Sequence, residues 1–184
     1  MYTNMMTKND IAIKNILNDL KNSHKYLDQT MEGVTNEIAH FAPQRTANPI
    51  SGVYAHLIFS EDFFVHFFLM KTKPLFESTW KDTTGISSLQ PTEWVTEYPK
   101  WLKEVKISIP QVYDYTKAVF AETEKYIESL EDKDLELDVD MNMFGMGNRT
   151  MGDMIHMMIL GHIWSIMGEI AVLKGIQGLK GYPF

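Results

Sequence analysis

Cysteine is absent from all 184 residues. That absence excludes disulfides, thiolate nucleophiles and Cys-ligated zinc, so a metal would need histidine, carboxylate or methionine ligands. Positive charge is also short: the formal net charge is −7, which argues against a nucleic-acid partner. Nor do residues 1–10 carry the basic-then-apolar pattern of a signal peptide, so the expected location is cytoplasmic. The stretch nearest to a membrane span, residues 154–173, has Glu169 as its one formal charge. It also contains His156, Gly161, His162, Ser165 and Gly168. A central helix of a soluble bundle reads this way, and no membrane role is expected.

Several catalytic signals are missing as well. There is no internal repeat, no Gly-x-Ser-x-Gly elbow, no phosphate loop and no His-Glu-x-x-His. Asp138 could open a calcium loop only if Met143 were glycine and Arg149 glutamate. Gly145 and Gly147 precede a helix, but no parallel βαβ unit surrounds them. Paired carboxylates are expected only in residues 122–140, where nine acids and two lysines carry a charge of −7. That run reads as a solvated helix end and loop.

What is present is an ordinary globular composition, 45% hydrophobic and 22% charged, on a chain sized for one domain spanning residues 1–184. The spacing predicts four long helices, hence an all-α four-helix bundle. The first covers residues 9–31, with Ile13, Ile16, Leu17, Leu20, His24, Leu27 and Met31 on one stripe. Asn48-Pro49 signals the start of the second, with Asn48 as cap and Pro49 as first helical residue. Val53, His56, Phe59, Phe63, Phe67 and Met70 form its inward face.

The third helix runs from Ser108-Ile109-Pro110 to Leu130, with Val112, Thr116, Val119, Thr123, Tyr126 and Leu130 inward. The fourth opens at Thr150, with Asp153 three residues on as a capping-box relative, and ends near Lys174 before Gly175 and Gly178. Residues 73–106 form a connection far longer than the ~2–8 residues usual between bundle helices. It can cross the bundle and leave helix three parallel to helix two. Its Trp80, Trp94 and Trp101 would serve as a lid or as a plug for the end of the core. Strict alternation over residues 134–140 predicts a short strand or hairpin.

Six histidines carry the chemical interest. His56 lies on the apolar stripe of helix two. His162 shares a stripe of helix four with Ile155, Met158, Ile159, Ser165, Ile166 and Glu169. His156 points elsewhere, and His66 lies roughly 80° off the His56 stripe. A lone inward histidine is commonly a packed, hydrogen-bonded residue. Two on facing helices are how bundles build metal sites. Glu169 is ~10.5 Å along the axis from His162, too far to share an ion with it. His24 faces inward on helix one and can line the same cavity if helices one and two are antiparallel neighbours. Thirteen methionines suit adaptable core packing or a promiscuous apolar pocket.

The helix opened by Asn48-Pro49 and carrying His56, Glu61 and Asp62 forms one part of a larger pattern. Residues Gly161, His162, Ile166, Gly168, Glu169 and Ile170 form a second part, and the tail through Gly175, Gly178, Gly181 and Pro183 a third. Together they resemble the DinB-like superfamily across nearly the whole chain. The resemblance implies a four-helix bundle with a long crossover between helices two and three, often dimeric. Typical members bind a divalent metal through one helix-two histidine and a His-x-x-x-His pair on the last helix. Some relatives are thiol-dependent transferases or isomerases, and many have no known activity.

Carried over, His56 matches the helix-two ligand and His162 the first of the last-helix pair. The second falls on Ile166, which cannot coordinate. Two functions follow as expectations. One is a degenerate member that binds an apolar small molecule or acts as a homodimeric module. The other is a hydrolase or transferase using Zn or Ni on His56, His162 and a third group. Gly161 and Gly168, two turns apart, would permit close helix approach in a dimer.

Overall fold

The structure, a computed structural model, describes residues 11–184. The expected start of the first helix near residue 9 lies outside the described residues. Helix α1, Ile11–Met31, buries Ile13, Ile16, Leu20, Ser23, His24, Leu27 and Thr30, a three-and-four spacing that makes one wet and one dry face. No acid lies in its first turn. Asp132, distant in sequence, accepts the N–H groups of Ala12 and Ile13 at 3.2 and 2.9 Å and supplies the missing negative charge. At the other end the buried Lys174 ammonium donates to the carbonyls of Thr30 and Glu32 at 2.6 and 2.9 Å.

A short α2, Asn36–Ala39, is capped by Thr35, whose hydroxyl accepts the N–H of Ile38. Helix α3 then covers Ile50–Phe63 and continues as a π-helix over Phe64–Met70. Its start differs from expectation. Pro49 takes the cap position, with φ −65° and ψ 156°, and no side chain caps the helix. The expected single inward stripe is also too narrow, because α3 is buried nearly all round, from Ile50 to Ala55 and from Leu57 to Phe59. Phe67, expected inward, is 46% exposed. A π turn takes more residues than an α turn, so 100° per residue overstates the rotation beyond Phe63.

Residues 73–106 hold a 3₁₀ turn, Leu75–Glu77, and α4, Glu97–Glu104. Helix α5, Ile109–Ser129, buries Val112, Tyr115, Thr116, Val119, Phe120, Thr123 and Ile127. Cross-helix bonds fix its direction. Tyr54 of α3 donates to Thr116 at 3.0 Å, while His24 bridges Glu61 of α3 and Glu124 of α5. Residue numbers therefore rise together on α3 and α5. The two helices run parallel, as the long crossover allows, and both are antiparallel to α1.

The first residues of the strand expected over 134–140 belong instead to a 3₁₀ turn, Asp132–Glu136, closed by a capping box between Glu131 and Asp134. Only β1, Asp138–Asp140, is extended, and it pairs antiparallel with β2, Asn148–Thr150, with Val139 opposite Arg149. The last helix is one rod in three pieces: α6, Met151–Met154, a π-helix over Ile155–Gly161, and α7, His162–Ile176. Thr150 caps it through the N–H of Asp153 at 3.1 Å, as expected.

Leu20, Leu27, Leu57, Ile58, Ile127, Ile163 and Ile170 are at most 1% exposed. Each such side chain contributes roughly 1.5–3 kcal/mol through burial. The stretches Ile50–Met70 and Met151–Ile176 are long and apolar enough to cross a membrane by length and composition. Within the bundle 72% and 44% of their windows are buried, and core helices pass the same test.

Candidate functional site

Helix α3 runs antiparallel to α7, and their contact brings His56 to His162. The two Nε2 atoms lie 3.1 Å apart, with ring centroids 4.8 Å apart at 69°. Neither ring sits at the centre of the core; both are partly buried at its margin. The line His162, Ser165, Glu169 passes from half-buried to exposed and back, whereas Ile163, Ile166, Met167 and Ile170 are buried. The π-helix immediately before His162 rotates this face from the position that α spacing predicts.

The hydrogen-bond pattern sets the tautomers. Gln90, from the crossover, turns its carbonyl oxygen to His56 Nδ1 at 3.0 Å, and the Ser60 hydroxyl lies 3.2 Å from the same nitrogen. His56 therefore donates through Nδ1–H and presents a lone pair at Nε2. His162 fills that lone pair with its own Nε2–H. Burial lowers the His56 pKa, partly offset by Gln90. Burial, and then the neighbouring His56, push that of His162 down to about 4. Near neutral pH this is an uncharged pair.

The crossover completes the surroundings. Tyr98 packs edge-on to His56 at 5.3 Å, and Trp94 lies 4.6 Å from Tyr98. Gly52 allows this. A Cβ there would sit 1.9 Å from the carbonyl oxygen of Leu102, so only glycine lets α4 lie directly on α3. One turn along each helix, the same register sets Tyr98 over His56. Ser51 secures the crossing by donating to the carbonyl of Val105 at 2.9 Å. Burial, together with the carboxylate of Glu169, raises the Tyr98 hydroxyl pKa. Glu169 itself is held above the usual carboxylate range by burial.

The tryptophans divide the two roles expected of the loop. Trp101, 7% exposed, and Trp80 plug the core against Phe59 and Tyr115, while the exposed Trp94 flanks the histidine pair.

The residues present do not fit a three-ligand metal centre. Ile166 occupies the position one turn beyond His162 and is 8% exposed. Among the described residues no group of three or more histidines and carboxylates could hold an ion. His24 does not join the pair either. It meets Glu61, which lies five residues from His56 and so about 140° around α3. The carboxylates of Glu61 and Glu124 approach opposite nitrogens of the His24 ring, so these three groups cannot converge on one ion.

That cluster corrects the expectation that paired carboxylates occur only in the acidic run. Glu61 and Asp62 are adjacent and 1% and 0% exposed. Asp62 accepts from the N–H groups of Leu75 and Phe76 and from the Tyr115 hydroxyl, and pairs with His66 at 2.8 Å. Burial opposes charging His66, but Asp62 outweighs it and raises the His66 pKa. The available signal was the charge itself: Glu61 and Asp62 are the only formal charges in residues 50–70. In a helix apolar on every side they had to be buried and paired. Likewise the acidic run is not wholly solvated, since Glu124 pairs with His24 and Asp132 caps α1. His156 is exposed, as expected.

Gly168 faces the chain's own tail. A Cβ there would lie 3.2 Å from the Tyr182 hydroxyl, and one on Gly181 would lie 2.7 Å from the carbonyl oxygen of Ala171. The glycine-rich tail thus folds back tightly on α7.

Comparison with known proteins agrees with this architecture. A crystal structure of a conserved protein from Enterococcus faecalis is similar, with a TM-score of 0.74 and 17% sequence identity over 90% of this chain and 96% of that one. At that identity the likeness concerns the fold. No curated protein matches. The profile of the DinB superfamily matches residues 19–164, well over half of the sequence. The chain belongs to the DinB superfamily.

Proposed function

We propose that this chain is a non-catalytic DinB superfamily member, a cytoplasmic homodimeric module rather than a metalloenzyme. The observation that carries this reading is Ile166, buried where the superfamily pattern calls for a second histidine on the last helix. A metal held by His56 and His162 alone would lack the third protein ligand of a catalytic site. Binding would also first have to displace the proton that the two rings share.

The dimer reading draws support from α7 and the π-helix before it. Met157, Trp164, Val172 and Ile176 are 44%, 42%, 63% and 60% exposed, and they follow one another at seven-, eight- and four-residue intervals along one outward line. Such a stripe is typical of a helix face that meets a partner. Gly168 does not offer a partner helix a close approach, because Tyr182 already covers it. A small apolar ligand remains an alternative occupant. Two cavities, of about 250 and 380 Å³, lie under the tail and in the crossover, and neither is lined by His56 or His162.

One observation favours the competing metal-dependent hydrolase or thiol-dependent transferase. The 3.1 Å Nε2 spacing is close to that of two imidazoles on one Zn or Ni ion. Metal titration of untagged protein separates the two readings. The natural chain is expected to retain little metal after loading and dialysis, and Ile166→His to raise affinity by more than about 100-fold. Stoichiometric tight binding by the natural chain, unimproved by Ile166→His, would overturn the proposal. Sedimentation of Trp164→Glu and Val172→Asp tests the dimer: both should be monomeric where the natural chain is not.

A further inference from the structure

The second histidine cluster holds something the first does not. His24 is 3% exposed, with Nδ1 2.8 Å from Oε1 of Glu124 and Nε2 3.1 Å from Oε1 of Glu61. Phe120 stacks on the ring at 3.7 Å and 5°. A neutral imidazole carries one N–H. Facing two carboxylates, it would set its lone pair against an oxygen lone pair on one side or the other. The geometry therefore requires one additional proton. An imidazole is about two units more basic than a carboxylate, so the proton belongs to the ring. The other oxygen of Glu61, Oε2, is buried with no partner among the described residues, so a proton placed there would find no acceptor.

We propose that His24, Glu61 and Glu124 form a proton-binding site in the core. There the folded chain keeps an imidazolium ion that fastens α1 to α3 and α5 and is released only in alkaline solution. The surrounding charges are few. Lys21 on α1 and Lys117 on α5 act on Glu124, and Lys117 is itself paired with Asp28. Tyr54 and Tyr115 feel Glu61 but are held un-ionised by burial. Asp62, next to Glu61, is committed to Tyr115, His66 and two backbone N–H groups. Among the described residues no other cation contacts the ring. Burial opposes its charge, but Glu61 and Glu124 outweigh that effect and raise the His24 pKa to about 9.

Nitrogen-detected NMR of the full chain tests this directly. At pH 7.5 the His24 ring is expected to show two N–H groups with imidazolium shifts, converting to the neutral form with a midpoint near 9. A neutral ring at pH 7.5 would overturn the proposal. Glu124 is partly exposed, so Glu124→Gln should leave the fold intact and lower the midpoint by about one unit or more. An unchanged midpoint would show that the ring is not bridged.

Stability offers a second readout. The folded-state pKa is above the unfolded one, so the contribution is complete below pH 6.5 and is lost as pH rises through 9. The ratio of folding constants, natural chain over His24→Gln, should fall close to about tenfold per pH unit across that window. A ratio independent of pH would equally overturn the assignment.

Discussion

Two histidine clusters share α3, about 140° apart around it, and the bundle treats them in opposite ways. On one side His56 and His162 meet ring to ring, with an amide and a hydroxyl as their other hydrogen-bond partners and, among the described residues, no carboxylate bonded to either ring. On the other, His24 lies between two carboxylates. Burial disfavours charge at both. The first cluster accepts that outcome and stays neutral, whereas the second supplies counter-charge and becomes an ion pair. Burial alone therefore does not decide a histidine's state; the partner that burial places within hydrogen-bond distance does. A neutral pair leaves a line of chemistry accessible at the margin of the core, while an ion pair inside it serves cohesion.

The largest effect is expected from breaking the charged cluster. Glu61→Leu removes the fully buried carboxylate and leaves the imidazolium with Glu124 alone. Losing one partner of a buried pair typically costs about 3–5 kcal/mol, and urea unfolding at pH 7 should show a loss in that range. A loss below about 1 kcal/mol would mean that the pair contributes little beyond its own desolvation. The double change His24→Leu with Glu61→Leu should recover much of the stability, because both fully buried charges are then replaced by apolar groups and the remaining one, Glu124, is partly exposed to water.

How much of this was legible follows from helix geometry. Three-and-four spacing gave the inward stripes of α1 and α5, because each has a wet face against which the dry one stands out, but it missed Ser23, Thr30, Tyr115, Phe120 and Ile127, which widen the buried faces. The same logic failed on α3 and its π-helical continuation, which have little wet face, and there the burial and pairing of Glu61, Asp62 and His66 were not foreseen. It also misjudged phase near His162, where a π-helix interrupts the 100° rhythm and sets the ring at the rim. The His56–His162 meeting was legible because both positions lie on facing helices. Gln90 and Tyr98 were not, since a long loop carries no periodicity to say where it returns. Gly52 was the one local clue to that return, and only the approaching Leu102 carbonyl gives it meaning.

A middle-sized effect separates the clusters by the sign of their pH dependence. The His162 pKa is depressed in the folded chain, so the unfolded chain binds more protons as acidity increases. Stability is whole above pH 6.5 and is lost as pH falls toward 4, the reverse of the His24 window. His162→Leu removes that penalty. At pH 5 the variant should gain about 1–2 kcal/mol relative to its own difference from the natural chain at pH 8. Chemical denaturation at the two pH values measures this, and a difference that does not change between them would show that His162 titrates normally.

The smallest effect comes from Gln90, and it tests why the first cluster stays neutral. Among the described residues Gln90 is the side chain whose hydrogen bond favours the charged form of His56. Its oxygen also fixes which nitrogen of His56 carries the proton. Gln90→Leu should cost about 0.5–1.5 kcal/mol, the net value of one hydrogen bond, because Ser60 remains beside Nδ1. The more telling consequence is in the tautomers. Without Gln90, His56 is free to carry its proton on Nε2, and His162 can then turn from donor to acceptor across the 3.1 Å contact. Ring-nitrogen shifts of the variant should show both tautomers where the natural chain shows one. A single unchanged tautomer would place the orienting role on Ser60 and would make the crossover a cover for the pair without any part in ordering it.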